Sequence, residues 1–289
     1  VLVASGLQKS YGSAFAVQRF DLELRPGRIV GLVGNNGAGK TTVLKMLCGV
    51  LEPTGGSATL GGVPTTRAPV RQAIGYLPED SPLYDDQTPL QYLAFFARMY
   101  RLPARPARLR AEALLAGLRL DREHWAKPIG NLSKGSARKV AIARALLHDP
   151  AVLLLDEPAS GLDPATRREL DTFLDLLRRQ GKAILLSAHN LTQVEALCDD
   201  IVLLHAGRIV AQGTLQELRA QWGTHRYRLH ATTPFAGSAP AGNLHVALLD
   251  GLGAAESAMS QVRAAGGAVL NLESVPPALD EILRRAAEA

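Results

Sequence analysis

The sequence is poor in the residues that staple small extracellular folds or cage metals. It holds two cysteines in 289 residues, Cys48 and Cys198, far apart and each inside an apolar stretch. Neither has metal-ligand spacing, which excludes a disulfide framework and a cysteine-based metal cage; buried thiols in a reducing compartment are expected. Aromatic residues make up 5% of the chain and do not interleave its basic side chains, which argues against a nucleic-acid surface. No apolar run approaches the roughly 18–20 residues that span a bilayer, and the longest, such as 151–155 and 201–204, are strand-sized. No basic segment followed by an apolar core opens the sequence, so any work at a membrane is expected from the aqueous side.

What is present suits a globular protein, either one large domain or a domain of about 200 residues plus a smaller one: 47% of residues are hydrophobic and 20% charged. The net charge of +5 is carried mostly by arginine, densest from Arg98 to Arg122 over an amphipathic helical pattern. That run reads as a solvated helix face, with an acidic partner or a membrane surface as the alternative.

Periodicity and turn chemistry divide the chain. Leu2–Ala4, Phe20–Leu24 and Ile29–Val33 read as strands, the last two as a hairpin about Arg25-Pro26-Gly27. A helix follows a glycine-rich loop up to Val50, Ala73–Leu77 is a strand, and Leu90–Leu120 is helical. Asn131 or Ser133 caps a helix ending at Leu147 before Pro150. Strands at Ala151–Leu155, Ala183–Ser187 and Ile201–His205 then alternate with helices at Ala165–Arg179 and Thr192–Leu197. Ala206-Gly207 turns the chain into a strand at Arg208–Ala211. The expectation is an α/β fold with a mostly parallel sheet, antiparallel additions, and helices on both faces. Beyond about Gln221, strands at Tyr227–Ala231, His245–Leu249 and Val269–Leu272 and helices at Ala255–Ala265 and Ala278–Ala287 predict a small α+β domain. The expected division is 1–219 and 220–289.

Gly34-Asn35-Asn36-Gly37-Ala38-Gly39-Lys40-Thr41-Thr42 matches G-x-x-x-x-G-K-[ST] in full, between an apolar strand and a helix. Such a loop, a P-loop, turns main-chain N–H groups around phosphate oxygens at a helix N-terminus. Lys40 then reaches the β- and γ-phosphates, and Thr41 offers a hydroxyl to Mg²⁺. A second strand, Ala151–Leu155, ends in Asp156-Glu157, placing carboxylates at the carboxyl end of a parallel strand, where α/β sheets bind ligands. Asp156 suits holding Mg²⁺, and Glu157 suits polarising the water that attacks the γ-phosphorus. The chain is therefore expected to bind and hydrolyse ATP.

Leu132-Ser133-Lys134-Gly135-Ser136, set between the P-loop and the Asp156 strand, resembles the signature of ATP-binding cassette (ABC) ATPases. The resemblance covers about residues 1–219 in family order. It implies that Tyr11 stacks on adenine and that Ile74–Glu79 joins the core to a helical subdomain at about 80–140. It implies further that Ser160-Gly161-Leu162-Asp163 is the D-loop and that His189 is the switch histidine. It implies a head-to-tail homodimer or heterodimer in which Ser133 and Gly135 of one copy face the γ-phosphate held by Lys40 of the other. The partner is then a membrane permease on a separate chain, and the location is peripheral, on the cytoplasmic face of the cell membrane. Nucleic acid is not expected as a partner, because the chain has one P-loop and no heptad insertion.

Three positions depart from the common pattern: Glu79 stands where glutamine is usual, Lys134 where glycine is usual, and Ser136 where glutamine is usual. These choices resemble ATPase subunits of ABC-2-type exporters, and Val275–Ile282 resembles the ending of that subgroup. Glu79 offers an oxygen toward Mg²⁺ or water and brings an added charge.

Overall fold

The computed structural model describes residues 1–223 and 225–289. They form two compact units, Val1–Gln212 and Gly213–Ala289.

The first unit is built on a ten-stranded sheet. Its strands are β1 (Leu2–Tyr11), β2 (Ala14–Leu24), β3 (Ile29–Val33), β4 (Gly55–Leu60), β5 (Val63–Pro64), β6 (Ile74–Leu77), β7 (Val152–Leu155), β8 (Ala183–Ser187), β9 (Asp200–His205) and β10 (Arg208–Gly213). The order across the sheet is β5-β4-β1-β2-β10-β9-β3-β8-β7-β6. β6, β7, β8, β3 and β9 run parallel, while β1 pairs antiparallel with both β2 and β4. β3, β7 and β8 are buried along their whole length, which is why they read as unbroken apolar runs rather than alternating ones.

Seven helices accompany this sheet: α1 (Lys40–Leu47), α2 (Ala68–Arg71), α3 (Pro89–Met99), α4 (Ala104–Gly117), α5 (Lys134–Leu146), α6 (Pro164–Arg179) and α7 (Leu191–Leu197). α6 shows how sequence sets a boundary and a face. Asp163 accepts the N–H groups of Ala165 and Thr166, Pro164 fills the first helical position, and Leu170, Phe173, Leu174 and Leu177 form the buried stripe.

Two expectations are corrected here. Arg25-Pro26-Gly27 is a turn, but it does not close a hairpin: β2 and β3 are separated in the sheet by β10 and β9. The antiparallel partner of β2 is β1, which runs seven residues beyond Ala4, to Tyr11. The helical span 90–120 is also two helices, α3 and α4, because Arg101 adopts φ 56° and Pro103 precedes α4.

The second unit opens with α8 (Leu215–Trp222), where Thr214 and Glu217 form a reciprocal capping box. It continues through β11 (Arg226–Ala231), β12 (Ala239–Ala241), β13 (Leu244–Asp250), α9 (Gly251–Ala264), β14 (Val269–Val275) and α10 (Leu279–Glu288). The four strands make an antiparallel sheet in the order β12-β13-β11-β14. Leu229, Ala231, Phe235, Ala247, Ala258 and Val262 form its core. The division falls after Gln212 rather than after residue 219, because α8 packs with α10, and Arg219 donates to the Pro277 carbonyl at 3.1 Å. Among the described residues no helix is long and apolar enough to cross a membrane.

Candidate active site

Adjacent parallel strands deliver their carboxyl ends to one edge of the sheet. Leu32 of β3 is level with Ser187 of β8, and Leu155 of β7 with Leu186 of β8 and Leu77 of β6. The segments leaving these four strands therefore converge, as ligand sites on open α/β sheets do. Gly37 to Thr42, Asn36, Glu79, Asp156, Glu157 and His189 line one cleft of about 430 Å³, with Ala16 at its side.

The loop leaving β3 needs its glycines for two reasons. Gly39, at φ 104°, occupies left-handed space, and a Cβ there would lie 2.6 Å from the Ala16 carbonyl oxygen. A Cβ on Gly34 would lie 2.3 Å from the Leu204 carbonyl oxygen. α1 begins at Lys40 with no side-chain cap, so its first N–H groups face the loop. The buried Lys40 ammonium donates to the carbonyls of Gly34 at 2.7 Å and Asn35 at 3.3 Å. An ammonium has three donors, so one remains for an anion in the cleft. Burial pushes Lys40 below the ordinary lysine range, while Glu157, Asp156 and Glu79 pull it back.

The carboxylates are held from behind. Ser187 donates to Asp156 Oδ1 at 2.6 Å and accepts the main-chain N–H of Glu157 at 2.9 Å. Asp156 Oδ2 is buried and lacks a hydrogen-bond partner. Glu157 has φ 48°, a conformation that side-chain-bearing residues rarely adopt. Its Oε2 accepts the His189 N–H at 3.3 Å, and Oε1 lies 3.1 Å from His189 Nε2, within ion-pair distance but without hydrogen-bond alignment. Burial raises the Glu157 pKa, and His189 and Lys40 partly oppose that rise. The result is a carboxylate more basic than an exposed glutamate, sharing a cleft with the Lys40 ammonium.

Residues 17–160 match the ABC transporter family. The chain is 40% identical over 206 residues to the ABC transporter ATP-binding protein NatA of Bacillus subtilis (strain 168), covering 70% of this chain and 83% of that protein. It is 39% identical over 220 residues to the Nod factor export ATP-binding protein I of Ralstonia nicotianae, covering 75% and 68%. A solved ATP-binding subunit of an ABC transporter superposes with a TM-score of 0.71 at 33% identity, over 77% of this chain and 93% of that one.

The chain belongs to the ABC transporter ATP-binding proteins. It is an ATP-binding and ATP-hydrolysing subunit, and the residues that match the family lie within the first unit.

Not every residue expected in the cassette's site lines the cleft. Ser133 is the exposed N-cap of α5, accepting the Ser136 N–H at 3.1 Å, and Gly135 lies near Leu162 and Thr166. Asp163 spends its carboxylate on the cap of α6 and on the Thr166 hydroxyl at 2.6 Å. Ser133, Gly135 and Asp163 are thus grouped with one another and stand outside the cleft that holds Lys40. Tyr11 is exposed at the end of β1, with the Lys9 ammonium 5.3 Å from its ring centroid; Ala16 reaches the cleft but Tyr11 does not.

Two contributors escaped the sequence reading. Ser187 ends an apolar strand and has no motif to announce it, and Arg138 reads only as part of the helix that ends at Leu147. Both bond directly to the Asp156-Glu157 turn.

Proposed function

We propose that this chain holds MgATP in the Lys40 cleft and turns it over only when a second subunit covers that cleft with its Ser133–Gly135 segment, driving export through a separate permease. The observation that carries this reading is the split of the site. The P-loop, Asp156, Glu157 and His189 share one cleft, while Ser133 and Gly135 start a helix outside it. A helix start favours an anion, and one that stands outside the cleft holding this chain's own Lys40 is what a half-site needs. The second subunit is another copy of the chain or a related one.

Within the cleft, the N–H groups of 36–42 and the free donor of Lys40 hold the β- and γ-phosphates, and Tyr11 stacks on adenine beyond the cleft's mouth. Glu157 accepts a proton-bearing contact from the attacking water, and His189, bonded to the same carboxylate, orients it. Asp163, at the D-loop, stands at the edge that the second subunit meets.

The donor set fits Mg²⁺ brought in with the nucleotide. Among the described residues no cluster of three or more His, Cys, Asp or Glu side chains forms a ready cage. Magnesium commonly needs only one or two carboxylates plus phosphate oxygens. Asp156, with its buried unpartnered Oδ2, and the Thr41 hydroxyl are the holders, with Glu79 at the rim. The ion supplies charge neutralisation to the phosphates.

Export is favoured by the similarity to an export ATP-binding protein and by the Glu79, Lys134 and Ser136 choices. The permease is a separate polypeptide, the chain sits peripherally on the cytoplasmic face of the membrane, and the second unit is an accessory domain.

Glu157→Gln tests the reading. It should keep nucleotide affinity, abolish turnover, and accumulate an ATP-bound dimer on size-exclusion chromatography. Turnover at the wild-type rate would remove Glu157 from the role, and co-purification with ribosomes or DNA rather than a membrane protein would remove the transport role.

A further inference from the structure

Arg138 lies in α5, five residues after the Ser133 cap. Its guanidinium makes five hydrogen bonds, every one to a main-chain carbonyl. Nη1 donates to Pro78 at 3.1 Å and Glu79 at 2.7 Å, Nη2 to Asp156 and Glu157 at 2.8 Å each, and Nε to Pro158 at 3.2 Å. An arginine has five N–H donors in a rigid fork, so none is left over. The acceptors lie in two segments, the loop after β6 and the turn after β7, and the side chain ties both to its own helix, which starts at Ser133.

The neighbouring cation, Lys139, meets a carboxylate, Glu169, at 2.9 Å. Arg138 instead gives up part of its hydration to hold peptide groups, and burial lowers its pKa accordingly. Two of those peptides bracket Glu157, the residue in left-handed conformation, while Ser187 holds the Glu157 N–H from the other side. A shift of α5 by about an ångström would take several of these bonds past useful length.

We infer that Arg138 is a positioning residue, which ties the Ser133 helix, the Glu79 loop and the Asp156-Glu157 turn into one body so that γ-phosphate capture at Ser133 and aiming of Glu157 occur together. The inference rests on the roles proposed above for Ser133 and Glu157. Lysine could replace the charge and at most three donors, but not the fork that reaches both acceptor segments.

The test uses the full chain, with steady-state ATPase kinetics and binding of a fluorescent ATP analogue. Arg138→Gln should lower kcat about 10- to 100-fold while KM and analogue affinity stay within about twofold, the split expected of lost orientation. Arg138→Lys should lower kcat by only about threefold, and it carries the test should the glutamine variant not fold. A wild-type kcat in either variant overturns the inference. So does a kcat loss in Arg138→Gln matched by an equal loss of affinity, which marks a general loss of structure. Glu157→Gln run alongside separates the two readings. If it is inactive while Arg138→Gln is fully active, only the positioning role falls; if Glu157→Gln is itself active, the role of Glu157 falls first.

Discussion

Ser187 Oγ lies 2.6 Å from Asp156 Oδ1 and donates to it, and the same oxygen accepts the Glu157 N–H at 2.9 Å. One fully buried hydroxyl on β8 therefore sets both carboxylates that end β7. It orients Asp156 so that Oδ2 is the free oxygen, and it holds the main chain of Glu157 in its left-handed turn. Ser187→Ala leaves a buried acceptor and a buried N–H unpaired, a cost of about 1–3 kcal/mol. The expected result is a melting temperature lower by roughly 2–10 °C and a kcat reduced about tenfold, with ATP affinity retained. Calorimetry and steady-state kinetics check it; unchanged values in both would show that Asp156 and Glu157 are held by other contacts.

Gly39 combines left-handed backbone with no room for a side chain. Its φ is 104°, and an added Cβ would meet the Ala16 carbonyl at 2.6 Å and Val17 Cγ2 at 3.2 Å. Gly39→Ala should therefore distort the loop and weaken ATP binding by more than about tenfold, since the phosphate-facing N–H groups depend on that turn. Gly181 is the control: its φ is 88° but nothing lies within 4 Å. Gly181→Asn, a residue that tolerates left-handed space, should leave ATP affinity unchanged and cost under about 1 kcal/mol. Isothermal titration of both variants distinguishes a steric requirement at Gly39 from a general intolerance of glycine replacement.

Local chemistry made much of this legible in the sequence. The P-loop, the Asp156-Glu157 strand end and the Ser133 cap are each written in under ten consecutive residues, and apolar runs mark strands buried on both faces. Strand order was less legible because it is set by non-local pairing. Arg25-Pro26-Gly27 has the chemistry of a turn, yet β9 and β10, from some 170 residues later, insert between the strands it joins. Arg138 and Ser187 were silent for a related reason. Their partners lie 18 to 60 and 30 to 31 residues away in the chain, so no local pattern could announce them. α8 was different: Thr214 and Glu217 carry a capping-box signal that short-range reading can find.

The two cysteines should be chemically quiet. Burial pushes the Cys48 thiol up to about 11, and desolvation raises Cys198 as well. A thiol with a pKa near 11 is about 0.1% thiolate at pH 8, against roughly a quarter for an unperturbed one near 8.5. Native protein should thus react with iodoacetamide at pH 8 roughly two orders of magnitude more slowly than free cysteine, and both thiols should label rapidly once guanidinium unfolds the chain. Mass spectrometry counts the adducts; fast labelling of either residue in the native state would contradict the desolvation that raises its thiol.

Tyr11 offers the sharpest test of where the base of ATP lies. The ring is exposed at the end of β1, beside rather than inside the phosphate cleft, and the Lys9 ammonium sits 5.3 Å from its centroid. A cation near one face leaves the other open to stack on a purine. Stacking of a base on an aromatic ring contributes about 1–3 kcal/mol as judged by alanine replacement, which corresponds to a roughly 5- to 150-fold change in affinity. Tyr11→Ala should weaken ATP binding by a factor in that range, whereas Tyr11→Phe should leave it nearly unchanged because the π-face is kept. GTP should lose affinity to a similar degree, since stacking reads the face of a base and not its hydrogen-bonding edge. Inorganic triphosphate, which has no base, should bind wild type and Tyr11→Ala equally. Equal ATP affinity in Tyr11→Ala and wild type would move the adenine away from β1 and leave this aromatic as an ordinary surface residue.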